Sequence, residues 1–395
     1  MNSAPLKLNT MDTDLVINDI SGTAVRKKRK TSSITKQMPH KRSIRNVAKR
    51  GRLKGVKKAK KKPSIKNTDD DQLYGILEKP NINYVQFGID KKFHTWYGTN
   101  VYFENGTKEL GIRIDNSVST NEIGKKTIQP VFKDKENNNQ TSENMWLDTL
   151  RICEYCFKYT DQPDRLKQHA EVCPYKDHLP GKIKYKSPQY TIRRVKGSKH
   201  KLFCQCLCLF TKLFLDNKSM YFKVDNYEFY MLYETGGNKP MGFFSKDLLS
   251  YQQNNLACIL VFPPYQRRQL GTLLIEFSYC VSKRQNLITG PELPLSPFGL
   301  ICYLFYWSNL IAYELLDGQL SERATVSLNE LSQATGIRVE DVTTTLTHLG
   351  CLDSNNNICI GTIREWSRKQ KAAKKKMIDS NGQIMLDHEY LLIDD

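Results

Sequence analysis

Four residues between positions 153 and 173 limit the fold of this chain more than any others. Cys153, Cys156, His169 and Cys173 stand in the spacing C-x2-C-x12-H-x3-C. Two cysteines separated by two residues suit a tight knuckle. A histidine and a cysteine separated by three residues fall on adjacent turns of one helical face. Thiolates and imidazole in this number suit tetrahedral Zn2+, and four protein ligands leave no open position for catalysis. The spacing therefore predicts a structural C2HC zinc finger over 151–175. Fingers that read DNA usually stand in arrays, whereas this one is single and runs directly into an apolar body. It reads as an element that pins the first part of a domain. A second cysteine group, Cys204, Cys206 and Cys208, has no paired Cys or His nearby and reads as buried thiols.

Charge divides the chain. Its 395 residues carry a net +19, but residues 1–75 hold 20 basic and 6 acidic side chains, so +14 lies there. That stretch is poor in large apolar side chains and contains the clusters RKKRK at 26–30 and KKAKKK at 57–62. Residues 1–80 read as a disordered basic tail, suited to nuclear import and to non-specific contact with nucleic-acid phosphates. The remaining residues are nearly balanced, so their function must be read from sites. Eleven cysteines and no signal-peptide pattern point to reduced thiols, in nucleus or cytosol.

Order is expected from about Asn81, with strands over 83–88 and 93–103, then an exposed polar insertion over 105–145. From Trp146 to 316 the chain is apolar. Short strands are expected at Tyr221–Val224 and Glu228–Tyr233. LACILVF at 256–262 reads as a strand buried on both faces, ended by Pro263-Pro264. Leu270, Leu273, Leu274, Phe277, Cys280 and Val281 then recur at helical spacing. The run 299–316 approaches the length of a bilayer span. Ser308, Asn309, Glu314 and the lack of flanking basic anchors make it a buried core helix instead, with no membrane partner. Over 325–350, a capping box (Ser327, Glu330), a break at Gly336 and an apolar face of Val339, Val342, Leu346 and Leu349 predict a helix-turn-helix. Its second helix opens with Glu340-Asp341, the wrong sign for phosphates, so a structural role is expected. Residues 366–395 read as a charged C-terminal tail.

The chemistry is concentrated in LACILVFPPYQRRQLGTLL, 256–274. A buried strand enters a tight loop that opens a helix, so free N–H groups and the positive helix end face any bound anion. Gln266, Arg267, Arg268 and Gly271 sit where a pyrophosphate would dock. Glu292 lies between prolines in GPELPLSPFG, a rigid non-helical setting for a general base. Taken alone, Glu292 is also compatible with an ordinary surface carboxylate, and Cys258 with an apolar filler.

These segments resemble the MYST family of histone acetyltransferases, within the acetyl-CoA-binding fold shared with the GCN-five-related enzymes. The resemblance covers roughly 82–365. It includes YVQFGIDKKFHTWY at 84–97, the zinc finger, LFLDNKSMYF at 213–222, GFFSKD at 242–247, NNLACILVFPPYQRRQLG at 254–271, LLIEFSY at 273–279 and GPELPLSPFG at 290–299. It implies an α+β fold for 81–365: a GNAT-like mixed-sheet core at 200–316, an N-terminal C2HC finger and the C-terminal helix-turn-helix. It also implies that Cys258 and Glu292 occupy active-site positions. Ile259, Leu260 and Val261 would offer main-chain groups to acetyl-CoA, and Gln266, Arg267, Arg268, Gln269, Leu270, Gly271 and Thr272 would form the pyrophosphate loop. Ser296 matches a cofactor-contacting serine and Lys218 an autoacetylated lysine. The phrase GPELPLSPFGL is most similar to that of the family's fungal silencing members. The implied activity is transfer of acetyl from acetyl-CoA to a histone-tail lysine, at position sixteen of histone H4, in nuclear chromatin and beside accessory subunits. One residue departs from the pattern: Gln269 stands where the family has glycine. If that position needs φ > 0, the cost is on the order of 1 kcal/mol. Two other readings follow from the same residues, a non-catalytic chromatin scaffold with a spoiled loop, and a DNA-binding regulator.

Overall fold

The structure is a computed structural model. It describes residues 80–103, 110, 146–215, 222–353, 357–373, 377–379 and 382–392, together with the backbone course of 14–18 and 76–77. The basic clusters of the first 75 residues, most of the polar segment 105–145 and Lys218 lie outside the described residues.

In chain order the strands are β1 (Asp14–Asn18), β2 (Ile76–Leu77), β3 (Ile82–Phe87), β4 (Lys91–His94), β5 (Gly98–Thr99), β6 (Leu147–Ile152), β7 (Tyr159–Thr160), β8 (Lys182–Lys186), β9 (Tyr190–Lys196), β10 (Tyr227–Glu234), β11 (Pro240–Asp247), β12 (Cys258–Val261), β13 (Thr325–Ser327) and β14 (Ile358–Cys359). The helices are α1 (Pro163–Val172), α2 (Pro174–Asp177), α3 (Lys201–Lys212), α4 (Leu270–Arg284), α5 (Pro297–Leu316), α6 (Leu328–Thr335), α7 (Val339–Leu349) and α8 (Ile360–Ala372).

The fold is α+β. Its centre is an antiparallel sheet in the order β12-β11-β10-β9-β8. β10, YEFYMLYE, shows why this sheet is covered on both sides. Successive side chains point to opposite faces. Phe229, Met231 and Tyr233 join a core with Phe203, Leu207 and Phe210 of α3. Tyr230 and Leu232 join another with Leu270, Leu273, Leu274 and Phe277 of α4. A continuous apolar strand is the expected signature of such a sandwich. An N-terminal sheet, β4-β3-β6-β7, leans on the α3 side. There Phe87, Phe157, Phe210 and Phe262 meet at ring-centroid distances of 5.1–6.1 Å.

The helix of membrane-spanning length, α5, is mostly buried within the protein. Its Tyr303, Trp307 and Ile311 pack with Tyr279 of α4 and with Leu331, Val342, Leu346 and Ile363 of α6, α7 and α8. The helix-turn-helix forms as its caps dictate. Ser327 and Glu330 close a reciprocal capping box, and Gly336 ends α6 at φ 75°. The backbone of β1, inside the stretch read as a tail, pairs antiparallel with β13 and parallel with β14.

Several elements differ from the sequence reading. The strand expected over 93–103 is broken after His94, because the N–H groups of Trp96 and Tyr97 turn away to donate to the Leu213 carbonyl. Phe222–Asn226 hold no strand. The three cysteines of CQCLC lie on α3, and all are buried. Part of the charged C-terminal stretch is docked. The buried Glu276 carboxylate on α4 accepts the N–H groups of Ile384, Met385 and Leu386 at 2.8, 2.7 and 3.2 Å, and Leu391 bridges to Tyr185. The buried side chains of Ile384, Leu386 and Leu391 lie in a short segment, QIMLDHEYLL at 383–392, that keeps neither a helical nor a strand period.

Candidate active site and metal centre

The four residues of the finger spacing come together. One ligand atom from each of Cys153, Cys156, His169 and Cys173 lies within 4.8 Å of the others, and Cys156 Sγ is 3.1 Å from His169 Nε2. The knuckle is closed by two main-chain bonds, Cys153 N–H to Lys158 O and Phe157 N–H to Cys153 O, with Phe157 in the left-handed region at φ 64°. His169 is in the last turn of α1. Cys173 is not on the same helical face but is the residue that ends α1 in an extended conformation. Burial, and then the Cys153 and Cys173 sulfurs, push the Cys156 thiol well above its ordinary value. Crowded buried sulfurs of this kind become thiolates when a divalent cation joins them. The donor set and its convergence fit tetrahedral Zn2+, with no position left for a substrate.

The second feature is the strand, turn and helix at 256–274. β12 is the terminal strand of the central sheet. Its pairing with β11 sets Cys258 opposite Ser245 and Val261 opposite Gly242. Its other edge therefore presents main-chain groups away from the sheet. Phe262 closes the strand in the core, and Pro263–Tyr265 make a single turn of 3-10 helix. The Gln266 side-chain amide donates to the Val261 carbonyl at 2.9 Å, so this side chain folds the turn. Arg267 and Gln269 are both left-handed, at φ 64° and 57°. Gln269 thus adopts the conformation that favours glycine, and its side chain is exposed. Arg267 and Arg268 are exposed as well.

α4 starts at Leu270 with no side-chain cap. Its first N–H groups and positive dipole end point out of the turn. Gly271 adds a test of whether a ligand belongs there. A Cβ on Gly271 would meet only Cys302 Sγ, at 3.9 Å, and its φ is not positive. Neither packing nor backbone conformation requires glycine at this position. A bound group approaching the main chain would require it. The cradle therefore fits a diphosphate, and Gln266 through Thr272 are the residues that would hold it.

Glu292 is set beside the start of β12, at the end of the strand away from this cradle, by main-chain pairing. Asn255 N–H donates to Gly290 O at 3.0 Å, Leu256 and Pro291 form a parallel bridge, and Glu292 N–H donates to Leu256 O at 2.8 Å. Beyond that point the two chains diverge, and β12 continues with Cys258 two residues on. Cys258 is partly buried and Glu292 is exposed. Ser296 caps α5, its Oγ accepting from Gly299 N–H at 3.1 Å.

The sequence reading missed what holds this loop from behind. Thr289 bridges to Ile337, and Arg338 Nη2 donates to Gln252 O and Asn254 Oδ1 at 2.6 and 2.8 Å. A Cβ on Gly290 would lie 2.5 Å from Asp341 Oδ2. The acidic start of α7 thus turns inward onto the glycine two residues before Glu292. Burial pushes the Asp341 carboxyl up to about 6, against the opposing pull of Arg338. Only the glycine before Pro291 hinted at such a close approach.

Comparison with known proteins gives the family. The model of the MOZ/SAS family matches residues 178–391, which includes the docked C-terminal segment. Histone acetyltransferase SAS2 of Saccharomyces cerevisiae is 55% identical over 349 residues, 87% of this chain and 96% of that protein. The Caenorhabditis elegans Histone acetyltransferase Tip60 homolog is 38% identical over 65% of the chain. The Arabidopsis thaliana Histone acetyltransferase of the MYST family 1 is 41% identical over 60%. The matches span 56% and 53% of those two proteins. The family model covers more than half of the chain, and a relative of high identity is matched almost end to end, so this chain belongs to the MOZ/SAS family, the MYST-type histone acetyltransferases.

Proposed function

We propose that the chain transfers the acetyl group of acetyl-CoA to a histone-tail lysine, with Glu292 as general base. The observation that carries this is the pinning of Glu292 beside the start of β12, the strand whose other end leads through the turn into the open, glycine-bearing start of α4.

A substrate lysine arrives as an ammonium ion with a reference pKa of about 10.4. Only the neutral amine attacks, and neutralising it at pH 7 costs on the order of 4–5 kcal/mol. Glu292 takes that proton, directly or through one water. Main-chain N–H groups on the open edge of β12, around Cys258 to Leu260, face the carbonyl oxygen as negative charge develops on it. Ile259, Leu260 and Val261 align the pantetheine arm as an added strand would be aligned. The α4 start and the two arginines hold the diphosphate, and CoA leaves as thiol or thiolate. Cys258 shapes the pocket while the amine attacks directly. It stands in an apolar strand, whereas a nucleophilic thiolate needs an electropositive setting.

The residues behind the resemblance also support histone H4, at the lysine in position sixteen, as the target, with a silencing role in nuclear chromatin beside accessory subunits. The test uses purified chain, with and without co-purified partners, labelled acetyl-CoA and histone octamer, followed by mapping of modified lysines. Glu292→Gln is expected to lose 10²- to 10⁴-fold in rate, roughly the worth of a positioned base, with acetyl-CoA binding kept. An unchanged rate at saturating substrate removes Glu292 from this role.

A further inference from the structure

At the edge of the central sheet opposite β12, a cavity of about 320 Å³ is lined by Gly181, Lys182, Arg194, Lys196, Lys199 and His200. The surrounding sequence is unusual in sign. Residues 178–201 contain eight Lys and Arg and no Asp or Glu. The fold gathers these charges instead of spreading them. β8 and β9 pair so that Lys182 lies directly across from Arg194, and Lys196 follows on the same face as Arg194. Like charges opposed across a strand pair are destabilising. The turn after β9 adds two more groups, because the Lys199 and His200 N–H groups both fold back onto Lys196 O. Gly181, at φ 77°, has no room for a Cβ, which would run into the Arg194 carbonyl.

One carboxylate, Glu228, reaches the cluster, across the β9–β10 pair from Lys196. Glu228 stands 3.7 Å from Arg194 Nε, and its other oxygen accepts from Tyr230 Oη at 3.0 Å. Asp225 pairs with Lys201 at 3.1 Å. Among the described residues no ion pair reaches Lys182, Lys196 or Lys199, and all three are exposed. α3 starts beside them at Lys201 with no side-chain cap, so its positive end adds to the field. Burial, and then the Lys199 ammonium, hold His200 below the ordinary histidine value.

We infer that this cavity is a docking site for the backbone phosphates of duplex DNA. Separate, rotatable ammonium groups suit phosphate oxygens and carry no sequence readout. Duplex DNA offers phosphates at short, regular intervals to a surface of spaced lysines. The site lies on the face of the sheet edge away from the β12 cleft, so it is separate from the acetyl-transfer residues and does not rest on their assignment.

The test uses full-length chain carrying Lys182→Gln, Lys196→Gln and Lys199→Gln together, and a fluorescent DNA duplex. Affinity at low salt is expected to fall at least tenfold. The slope of log affinity against log salt should shrink by about 2 to 3, as three lost phosphate contacts require. The basic tail contributes equally to both proteins and cancels from the difference. The triple Lys→Arg variant should keep the slope, and heat unfolding should be alike in all three. Acetylation of a free histone-tail peptide should be unchanged while acetylation of nucleosomes falls. Equal affinity and slope in the Gln variant would overturn the assignment. So would a loss of binding to inorganic pyrophosphate or to a phosphopeptide with DNA binding intact. Absence of peptide acetylation in every protein would count against the acetyltransferase reading and leave the DNA measurement standing.

Discussion

Between Cys153 and Cys173 the fold brings four side-chain atoms to one point, whereas between Phe262 and Gly271 it keeps side chains away from one. The first centre is written in residue identities, so any loss of a ligand is a loss of the centre. The second is written in main-chain conformation: two left-handed residues, an uncapped helix start and a glycine with room around it. Such a site tolerates a foreign side chain if the backbone path survives. Gln269 is the example. The sequence reading set its side chain where backbone meets phosphate, but the residue is left-handed and its side chain is exposed.

Three changes would break or sharpen this contrast. The largest effect is expected from Cys156→Ser or from strong chelation. Structural Zn2+ sites hold on the order of 10 kcal/mol of folding free energy, so the N-terminal sheet should lose its cooperative heat transition together with bound metal. A metal-free protein that melts like the parent would show that the cluster is not a zinc centre. Next, Gly271→Leu fills the space beside Cys302. Calorimetry should find acetyl-CoA affinity down at least tenfold while the melting point without ligand stays within about 2 °C, because the protein itself leaves that space open. Equal loss of stability would mean that packing, not ligand, demands the glycine. The smallest effect is Gln269→Gly, which relieves a left-handed side chain at some cost in chain entropy. Unfolding free energy should rise by about 0.5–1 kcal/mol, with acetyl-CoA affinity within threefold of the parent. A tenfold gain in affinity would mean that the glutamine intrudes on the cradle after all.

The same contrast explains what could be read from residues alone. The zinc spacing, the Ser327–Glu330 capping box and the apolar face of α4 are local patterns, each fixed by neighbours within one or two turns. β12 and its turn were also legible, because Pro263-Pro264 and Gly271 punctuate them. The bracing of Gly290 by Asp341 was not, since about fifty residues separate the partners and no local pattern links them. The anchors Ile384 and Leu386 were obscured for a related reason: what holds them is the Glu276 carboxylate, and one buried acid in a helix gives no periodic signal.

Glu276 has a wider consequence. It projects from the helix whose first turn is the proposed diphosphate cradle, and it grips three successive amides of the 384–386 segment. Clipping the chain ahead of Ile384 would strand a buried carboxylate without donors, a state proteins avoid by shifting the element that bears it. Protease nicks or bulky fusions near the carboxyl terminus are thus expected to disturb the proposed cradle from behind, along a single rod of fifteen residues.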